Sequence, residues 1–353
     1  MGVSLFLSAS SGKLKENRQA KSRKKTANVC TLRANHTLLT LTCNTVTHRN
    51  VRKLTLVKSL HMLKPIVIYA KCVTIPTWTD QLRAAMTAST VTVEYQGETA
   101  LVTLDRPDKF NALNYEMFLD ICRVQKQLKR QRHIRLVIVS GRGSNFSSGL
   151  DIKSVIKKPL QPIGLLAKWL PGNANLAQRV SIGWSRLPMP VIAVIEGYCY
   201  GGGMQIALGA DFRIASPGAR LSVMEAKWGL VPDMAGLVSL RNIMPKDKAL
   251  ELTMTARVLD AVEAEGLGLV TWVDEEPMAR AQALADELLK RSPDALAAIK
   301  FSTHNSWSAS IRSLLARESW YQLRLLLGAN FRLAGAREQG KTDKPYRPRQ
   351  RFW

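Results

Sequence analysis

Cysteine and histidine are scarce in this 353-residue sequence, which contains 5 of each. The cysteines form no C-x-x-C pair, and none of them clusters with a histidine. This spacing argues against a disulfide framework and against a zinc site, and it favours a reducing compartment. We therefore expect a cytoplasmic protein, with a mitochondrial location as the alternative if the N-terminal segment is a transit peptide.

Long apolar runs are missing as well. A membrane-spanning helix needs about 18 or more consecutive apolar residues. The best candidate is interrupted by Lys53, Lys58 and Lys64. We expect no membrane span.

Acidic residues are nearly absent from the first quarter of the chain. Residues 1–85 contain 15 Lys and Arg but only 2 acidic residues, Glu16 and Asp80, so they hold +13 of the formal net charge of +24. The segment shows no sustained helical or strand period, and we expect it to be largely disordered. Three interpretations remain open: a transit peptide, a basic arm that binds nucleic acid, or a misassigned extension upstream of a true start at Met86.

From residue 86 onward the hydrophobic pattern alternates between strands and helices. Residues 91–95 and 100–104 flank a turn at Gly97, which predicts a hairpin. The apolar runs 136–139 and 191–195 do not alternate, which predicts strands buried on both faces of an α/β core.

Apolar residues at helical spacing predict helices in four places. They cover 113–128, with Asn111 as the N-cap, then 204–209, 278–290 and 311–327. Residues 341–353 form a basic tail that we expect to be loose.

Two loops follow predicted strands, at 146–152 and at 197–205. The second contains Gly201, Gly202 and Gly203 at the start of a predicted helix. A glycine-rich turn that opens a helix exposes backbone N–H groups suited to an anion. Taken alone, the glycines are better explained by a tight turn.

Together with their flanks, these loops resemble the enoyl-CoA hydratase/isomerase (crotonase) superfamily. The resemblance runs from about Val91 to about Phe331. It is carried by LDRPDKFNAL at 104–113, FSSGLDI at 146–152, GYCYGGGMQ at 197–205, DFRIA at 211–215, EAKWG at 225–229 and EAEGLGLV at 263–270. It implies an α/β fold, namely a ClpP-like crotonase spiral of ββα turns at 86–275. A C-terminal helical region at 276–340 is expected to assemble the chain into trimers or hexamers.

The resemblance also implies which residues bind the substrate, an acyl-CoA thioester. An oxyanion hole falls on the backbone N–H groups of Ser148 and Gly202, which hold the thioester oxygen as negative charge builds on it. Coenzyme A is expected to contact Lys109, Phe110, Leu150, Asp151 and Ile152. For Asp151, a hydrogen bond to its own backbone is the alternative. No metal or separate cofactor is implied, because coenzyme A arrives as part of the substrate.

The expected walls of the acyl pocket are less specific. Segment 153–174 is the predicted variable substrate loop. Trp169, Trp184 and Trp228 either line the pocket or belong to the core.

The sequence departs from the family's hydratases at one position. Those enzymes carry two glutamates, and the positions are Gln205 and Glu225 here. An amide can orient a water or a substrate but transfers no proton near neutral pH. Family members that move a double bond need one carboxylate, which matches Glu225. Asp233 matches a further acid of dienoyl-specific members.

We therefore predict a double-bond isomerase or an atypical hydratase, with Glu225 as the base and Asp233 as a second candidate acid. Ordinary enoyl-CoA hydratase activity is the first alternative, and an RNA-binding crotonase homologue is the alternative of another class. Two structural explanations also remain open, an ion pair for Glu225 and a turn-forming role for Asp233.

Overall fold

The computed structural model describes residues 28–34, 37–43, 51–57, 67–71, 89–156, 160–168, 170–351 and 353. The chain divides into two units, Met1–Thr87 and Ala88–Trp353. The first unit contains four strands, β1 (Asn28–Ala34), β2 (Thr37–Cys43), β3 (Val51–Val57) and β4 (Val67–Lys71), which pair antiparallel in that order.

These four strands differ from the predicted disordered extension. Strand β2 contains three threonines, a β-branched residue type that is enriched in strands, and its pattern is too short to give a sustained period. The rest of the predicted extension lies outside the described residues.

The second unit is built around a six-stranded sheet. Its strands are β5 (Val91–Gln96), β6 (Thr99–Leu104), β7 (Leu136–Gly141), β8 (Val191–Ile195), β10 (Phe212–Ala215) and β13 (Trp272–Val273). They lie in the order β13-β10-β8-β7-β6-β5. Strands β5 and β6 form the predicted antiparallel hairpin, with Gly97 in the turn at φ 60°. All other neighbours in this sheet are parallel.

Both faces of the parallel strands are covered, as their unbroken apolar sequences predict. Val137, Val139 and Ala193 belong to the main hydrophobic core. The alternate residues Ile138 and Ile192 face a second cluster, which includes Ala281 and Ala285 of the C-terminal region. The fold is therefore of the predicted α/β type.

A small second sheet carries the chain toward the glycine-rich turn. It consists of β9 (Tyr198–Tyr200), β11 (Arg220–Ser222) and β12 (Leu259–Asp260), in the order β12-β11-β9. Gly197 lies between β8 and β9 at φ 52°, and a Cβ there would lie 2.1 Å from the carbonyl oxygen of Ser144. Only glycine fits this change of direction between the two sheets.

Twelve helices are described after Ser89. They are α1 (Tyr115–Arg130), α2 (Ile152–Ile156), α3 (Leu160–Leu166), α4 (Leu176–Ser185), α5 (Gly202–Leu208), α6 (Gly236–Ile243), α7 (Lys246–Thr255), α8 (Ala261–Gly266), α9 (Pro277–Leu289), α10 (Pro293–Ser306), α11 (Ile311–Leu326) and α12 (Ala329–Glu338). Two short 3-10 helices occur at Pro107–Lys109 and Glu225–Trp228. No helix in the described part of the chain is long and apolar enough to cross a membrane.

The prediction that Asn111 caps the first helix is wrong. The N-cap of α1 is Asn114, whose side chain accepts a hydrogen bond from the amide of Met117. Asn111 is instead fully buried, and its side-chain amide donates to the carbonyl oxygens of Arg142 and Asn145. Asn111 therefore does not cap α1, because its side chain forms hydrogen bonds with a distant loop instead.

The prediction of a loose C-terminal tail is also wrong. Arg349 is 1% exposed. Its guanidinium donates to the carbonyl oxygens of Ile134 and Gln131, just beyond the end of α1. The amide of Gln350 donates to Asp294 at the start of α10. The basic residues of the tail suggested a solvated segment, but the Arg349 side chain donates hydrogen bonds to backbone carbonyls within the fold.

Candidate active site

The two loops singled out from the sequence meet in the structure. Ser147 of the first loop pairs with Cys199 of β9: the amide of Ser147 donates to the carbonyl of Tyr198, and the amide of Tyr200 donates to the carbonyl of Ser147. Gly149 has φ 94°, and a Cβ there would lie 2.9 Å from the carbonyl oxygen of Tyr200. Glycine at this position lets the two backbones approach each other.

Two backbone N–H groups are free at this junction, and one of them belongs to a different residue from the one predicted. The N–H of Ser148 donates to the carbonyl oxygen of Phe110 at 2.9 Å, so it is not available to a ligand. This corrects the prediction for Ser148. The N–H groups of Leu150 and Gly202 form no hydrogen bond within the described residues. The structure therefore offers Leu150 and Gly202 as the pair of available amides.

Leu150 exposes its amide because of how its neighbours are paired. The amide of Leu113 donates to the carbonyl of Gly149, and the amide of Asp151 donates to the carbonyl of Leu113. In such a bridge the central residue turns its own N–H away from its partner. Gly202 has a free N–H for a different reason, since it is the first residue of α5.

Gln205 is fully buried on α5, and both ends of its amide are occupied. Its Oε1 accepts from the amides of Met234 and Gly236, each at 2.9 Å. Its Nε2 donates to Oε1 of Glu225 at 2.5 Å. In this structure Gln205 fixes the 234–236 turn and holds Glu225, and its role in orienting a water or a substrate stays a prediction.

Glu225 opens the 3-10 helix that follows β11. Burial raises the pKa of its carboxyl above the ordinary value, and the charge of Asp233 adds to the rise, while hydrogen bonds, including that from Gln205, oppose it. Its Oε2 is buried without a hydrogen-bond partner in the described structure. Its Oε1 would lie 3.3 Å from a Cβ built on Gly201, so the carboxyl sits beside the glycine-rich turn. A carboxyl with a raised pKa and an unused oxygen can take up a proton.

Asp233 lies in the turn between this 3-10 helix and α6. Its side chain is exposed, and partial desolvation raises the pKa of its carboxyl. Its negative charge also contributes to the raised pKa of the Glu225 carboxyl. Its role as a second acid stays a prediction.

Three of the predicted coenzyme A contacts line one groove of about 660 Å³. They are Lys109, Phe110 and Asp151. Arg106 and Lys153, which were not predicted as contacts, line the groove too. Leu150 and Ile152 lie beside the groove in sequence and are not among its lining residues. The lining cations suit phosphate groups.

Asp151 has structural partners inside this groove. Its carboxylate pairs with Arg106 at 3.1 Å and accepts from the amide of Ser154. The second bond is the local backbone contact that was the alternative for this residue.

The tryptophans divide between core and surface. Trp184 is fully buried in the main core, whereas Trp228 is 61% exposed at the end of the 3-10 helix that Glu225 opens. Trp169 lies outside the described residues. Helix α3 and all but the first residue of α2 fall within the predicted variable segment 153–174. Among the residues described, no group of His, Cys, Asp and Glu side chains is arranged to hold a metal ion.

Comparisons with known proteins confirm the resemblance. The family model for enoyl-CoA hydratase/isomerase matches residues 94–322. The enoyl-CoA hydratase EchA19 of Mycobacterium tuberculosis is 32% identical over 209 residues, which are 59% of this chain and 77% of the relative. The carnitinyl-CoA dehydratase of Escherichia coli K12 is 35% identical over 203 residues, which are 56% and 74% of the two chains.

Solved structures agree. The enoyl-CoA hydratase of Thermoplasma volcanium superposes with a TM-score of 0.64 at 28% identity, covering 72% of this chain and 98% of that chain. A hydratase homologue of Thermobifida fusca, solved with acetoacetyl-CoA, gives a TM-score of 0.58 at 30% identity and covers 69% and 97% of the two chains. These matches confirm the spiral fold expected from the sequence.

Proposed function

The chain belongs to the enoyl-CoA hydratase/isomerase family and is an enzyme of the lyase or isomerase type, and from this premise we propose that it moves the double bond of an enoyl-CoA thioester. The observation that carries the proposal is the pairing of Gln205 with Glu225. It leaves Glu225 as a half-buried carboxyl beside the glycine-rich turn, with one oxygen that has no hydrogen-bond partner in the part of the chain that the structure describes.

A double-bond shift requires one group that removes a proton and returns it. In the proposed reaction the Glu225 carboxylate takes a proton from C2 of a 3-enoyl thioester. The electron pair of that C–H bond moves into the conjugated system, and negative charge builds on the thioester oxygen. Protonated Glu225 then delivers the proton to C4, which gives the 2-enoyl thioester and regenerates the carboxylate.

The amides of Leu150 and Gly202 are the proposed oxyanion hole. Donors fixed before the reaction stabilise the enolate oxygen without reorganisation, and each is typically worth about 3–4 kcal/mol in the transition state. The groove at Lys109, Arg106 and Lys153 adjoins Leu150 through Asp151, which supports it as the site of the coenzyme A phosphates. The chemistry proposed needs no group beyond these residues and the substrate.

Hydration makes a further demand. A water must lose a proton to a base while C2 gains one from an acid, and family hydratases divide this work between two carboxyls. The buried amide of Gln205 transfers no proton. Ordinary hydratase activity is therefore the less supported reaction, with Glu225 performing both transfers.

The test is a parallel assay of 3-enoyl isomerisation and 2-enoyl hydration. We expect the native protein to isomerise faster than it hydrates, and Glu225→Gln to lose both reactions. Glu94→Gln makes the same chemical change at an exposed residue of β5 and is the matched control. Fast hydration by the native protein that persists in Glu225→Gln would refute the proposal and direct attention to Asp233.

An RNA-binding role has one supporting observation. Helix α1 exposes Arg123, Lys126, Lys129 and Arg130, and no acidic residue occurs between Ile121 and Leu136. Such a face suits phosphates, and binding to it should weaken steeply with salt. Salt-insensitive or absent RNA binding by the full chain would remove this second function.

We also infer self-association through the C-terminal helices. Helix α11 has no buried residue within this chain, and it exposes Ile311, Leu315 and Trp320. Exposed apolar surface of this kind is typical of subunit interfaces. Light scattering should give the mass of a trimer or hexamer, and a monomer would refute the inference.

A further inference from the structure

A methionine lies against the proposed oxyanion hole. Met234 is 4% exposed and follows Asp233 in the turn before α6. A Cβ built on Gly202 would lie 2.8 Å from its Sδ and 3.3 Å from its Cε. The thioether therefore touches the backbone carbon of the residue whose N–H is one of the two free amides.

A second apolar side chain completes this contact. The Cδ1 of Leu113 would lie 2.9 Å from the same Cβ. Leu113 also pairs through its backbone with Leu150, which carries the other free amide. An acyl group whose thioester oxygen accepts from both amides would lie against Leu150 and Gly202, and Met234 and Leu113 are the side chains that contact Gly202.

The backbone of Met234 is fixed, and its side chain is the adaptable part. Its amide and that of Gly236 are both held by Oε1 of Gln205. Between them Ala235 has φ 65°, a left-handed conformation that is unusual for alanine. An unbranched methionine side chain, by contrast, rotates readily and fills irregular gaps.

We propose that Met234 limits the length of the acyl group, so that the site takes short acyl chains and resists longer ones. The inference rests on the proposed function, because it assumes a thioester oxygen held by Leu150 and Gly202. Gln205 acts here as a positioning residue, since it fixes the turn from which Met234 reaches Gly202.

The test measures binding rather than turnover. Full-length native protein and Met234→Ala are titrated by calorimetry with free coenzyme A and with saturated acyl-CoA thioesters of increasing chain length. We expect the affinity of the native protein to stop rising after a short chain. Met234→Ala removes three heavy atoms, so its affinity should rise about fourfold per methylene for about three further methylenes.

Two further variants serve as controls for Met234→Ala. Met234→Val removes less volume and should shift the profile by less, and it decides the matter if Met234→Ala does not fold. Met189→Ala truncates another buried methionine, two residues before β8, and should keep the native profile.

The outcomes separate the two hypotheses. The same dependence on chain length in the native protein and in the folded Met234 variants would overturn this inference and leave the proposed function standing. Failure of the native protein to bind free coenzyme A and every thioester would overturn the proposed function and this inference with it.

Discussion

Replacing Gln205 by glutamate would place a second carboxyl in the site with almost no change in volume. The acceptor half of the side chain is unchanged, so the hydrogen bonds from Met234 and Gly236 persist. The donor half changes from an N–H to an oxygen that faces Oε1 of Glu225, and these two positions are 2.5 Å apart.

The magnitude of the repulsion decides the protonation of this pair. Two unit charges 2.5 Å apart repel by about 7 kcal/mol at an effective dielectric constant of about 20. About 4 kcal/mol suffices to keep a glutamate with an ordinary pKa of about 4.3 protonated at pH 7. The pair must therefore share one proton at neutral pH, as carboxylate dyads do.

A pair that shares one proton offers both an acid and a base, which is what hydration requires. We expect hydration by Gln205→Glu to rise by about 10²–10⁴-fold in kcat, the usual contribution of one acid–base group. Its dependence on pH should be bell-shaped, with two apparent pKa values that belong to the pair. Isomerisation at neutral pH should fall, because Glu225 no longer carries a full negative charge.

The assay follows the loss of ultraviolet absorbance as the conjugated enoyl thioester takes up water. Gln127→Glu makes the same substitution at an exposed position of α1 and should leave both rates unchanged. Unchanged hydration by a Gln205→Glu protein that is folded and binds coenzyme A would refute the reasoning.

Three other predictions can be checked directly. The kcat/KM for isomerisation should rise with pH through the raised pKa of Glu225, because the base must be ionised. The same raised pKa means that the contribution of this group to the free energy of unfolding falls as pH rises through that range. A pH profile with only an ordinary carboxyl pKa would contradict both statements. Arg349→Ala should lower the free energy of unfolding by about 2–4 kcal/mol in denaturant titrations, because it strands two carbonyls held by a buried guanidinium, and an effect below about 0.5 kcal/mol would contradict this. A chain that begins at Met86 should melt and turn over like the full chain, because every described core and site residue follows Ser89, and loss of folding or assembly on truncation would show that the first unit is structural.

Much of the fold could be predicted because its signals are local. Leu136 and Ile192 belong to one cluster while Val137 and Val191 belong to the other, so both strands need apolar residues at every position. An unbroken run of apolar residues shows this requirement in the sequence itself. The glycines of the two loops are likewise required by local backbone conformation, as the positive φ angle of Gly149 shows.

The wrong predictions concern the free amide of the first loop and the N-cap of α1, and both features are determined by contacts between residues far apart in the sequence. Which amide of the first loop is free depends on Phe110 and Leu113, which lie over 30 residues earlier in the chain: Phe110 takes the amide of Ser148, and Leu113 leaves that of Leu150 unused. Asn111 and Asn114 are both reasonable caps by local rules, and only the carbonyls of Arg142 and Asn145 separate them. No period or propensity contains this information.

Gln205 shows the same limit within the proposed chemistry. The sequence alone presents it as a lost catalytic acid. The fold gives its two halves separate tasks, because the carbonyl fixes the turn that carries Met234 while the N–H holds Glu225. A glutamate could perform the first task but would compete with Glu225 for a proton, and an alanine would strand two buried amides. Glutamine is thus the residue type that keeps the turn in place and leaves Glu225 as the proposed base, which links the proposed reaction and the proposed acyl-chain limit to one side chain.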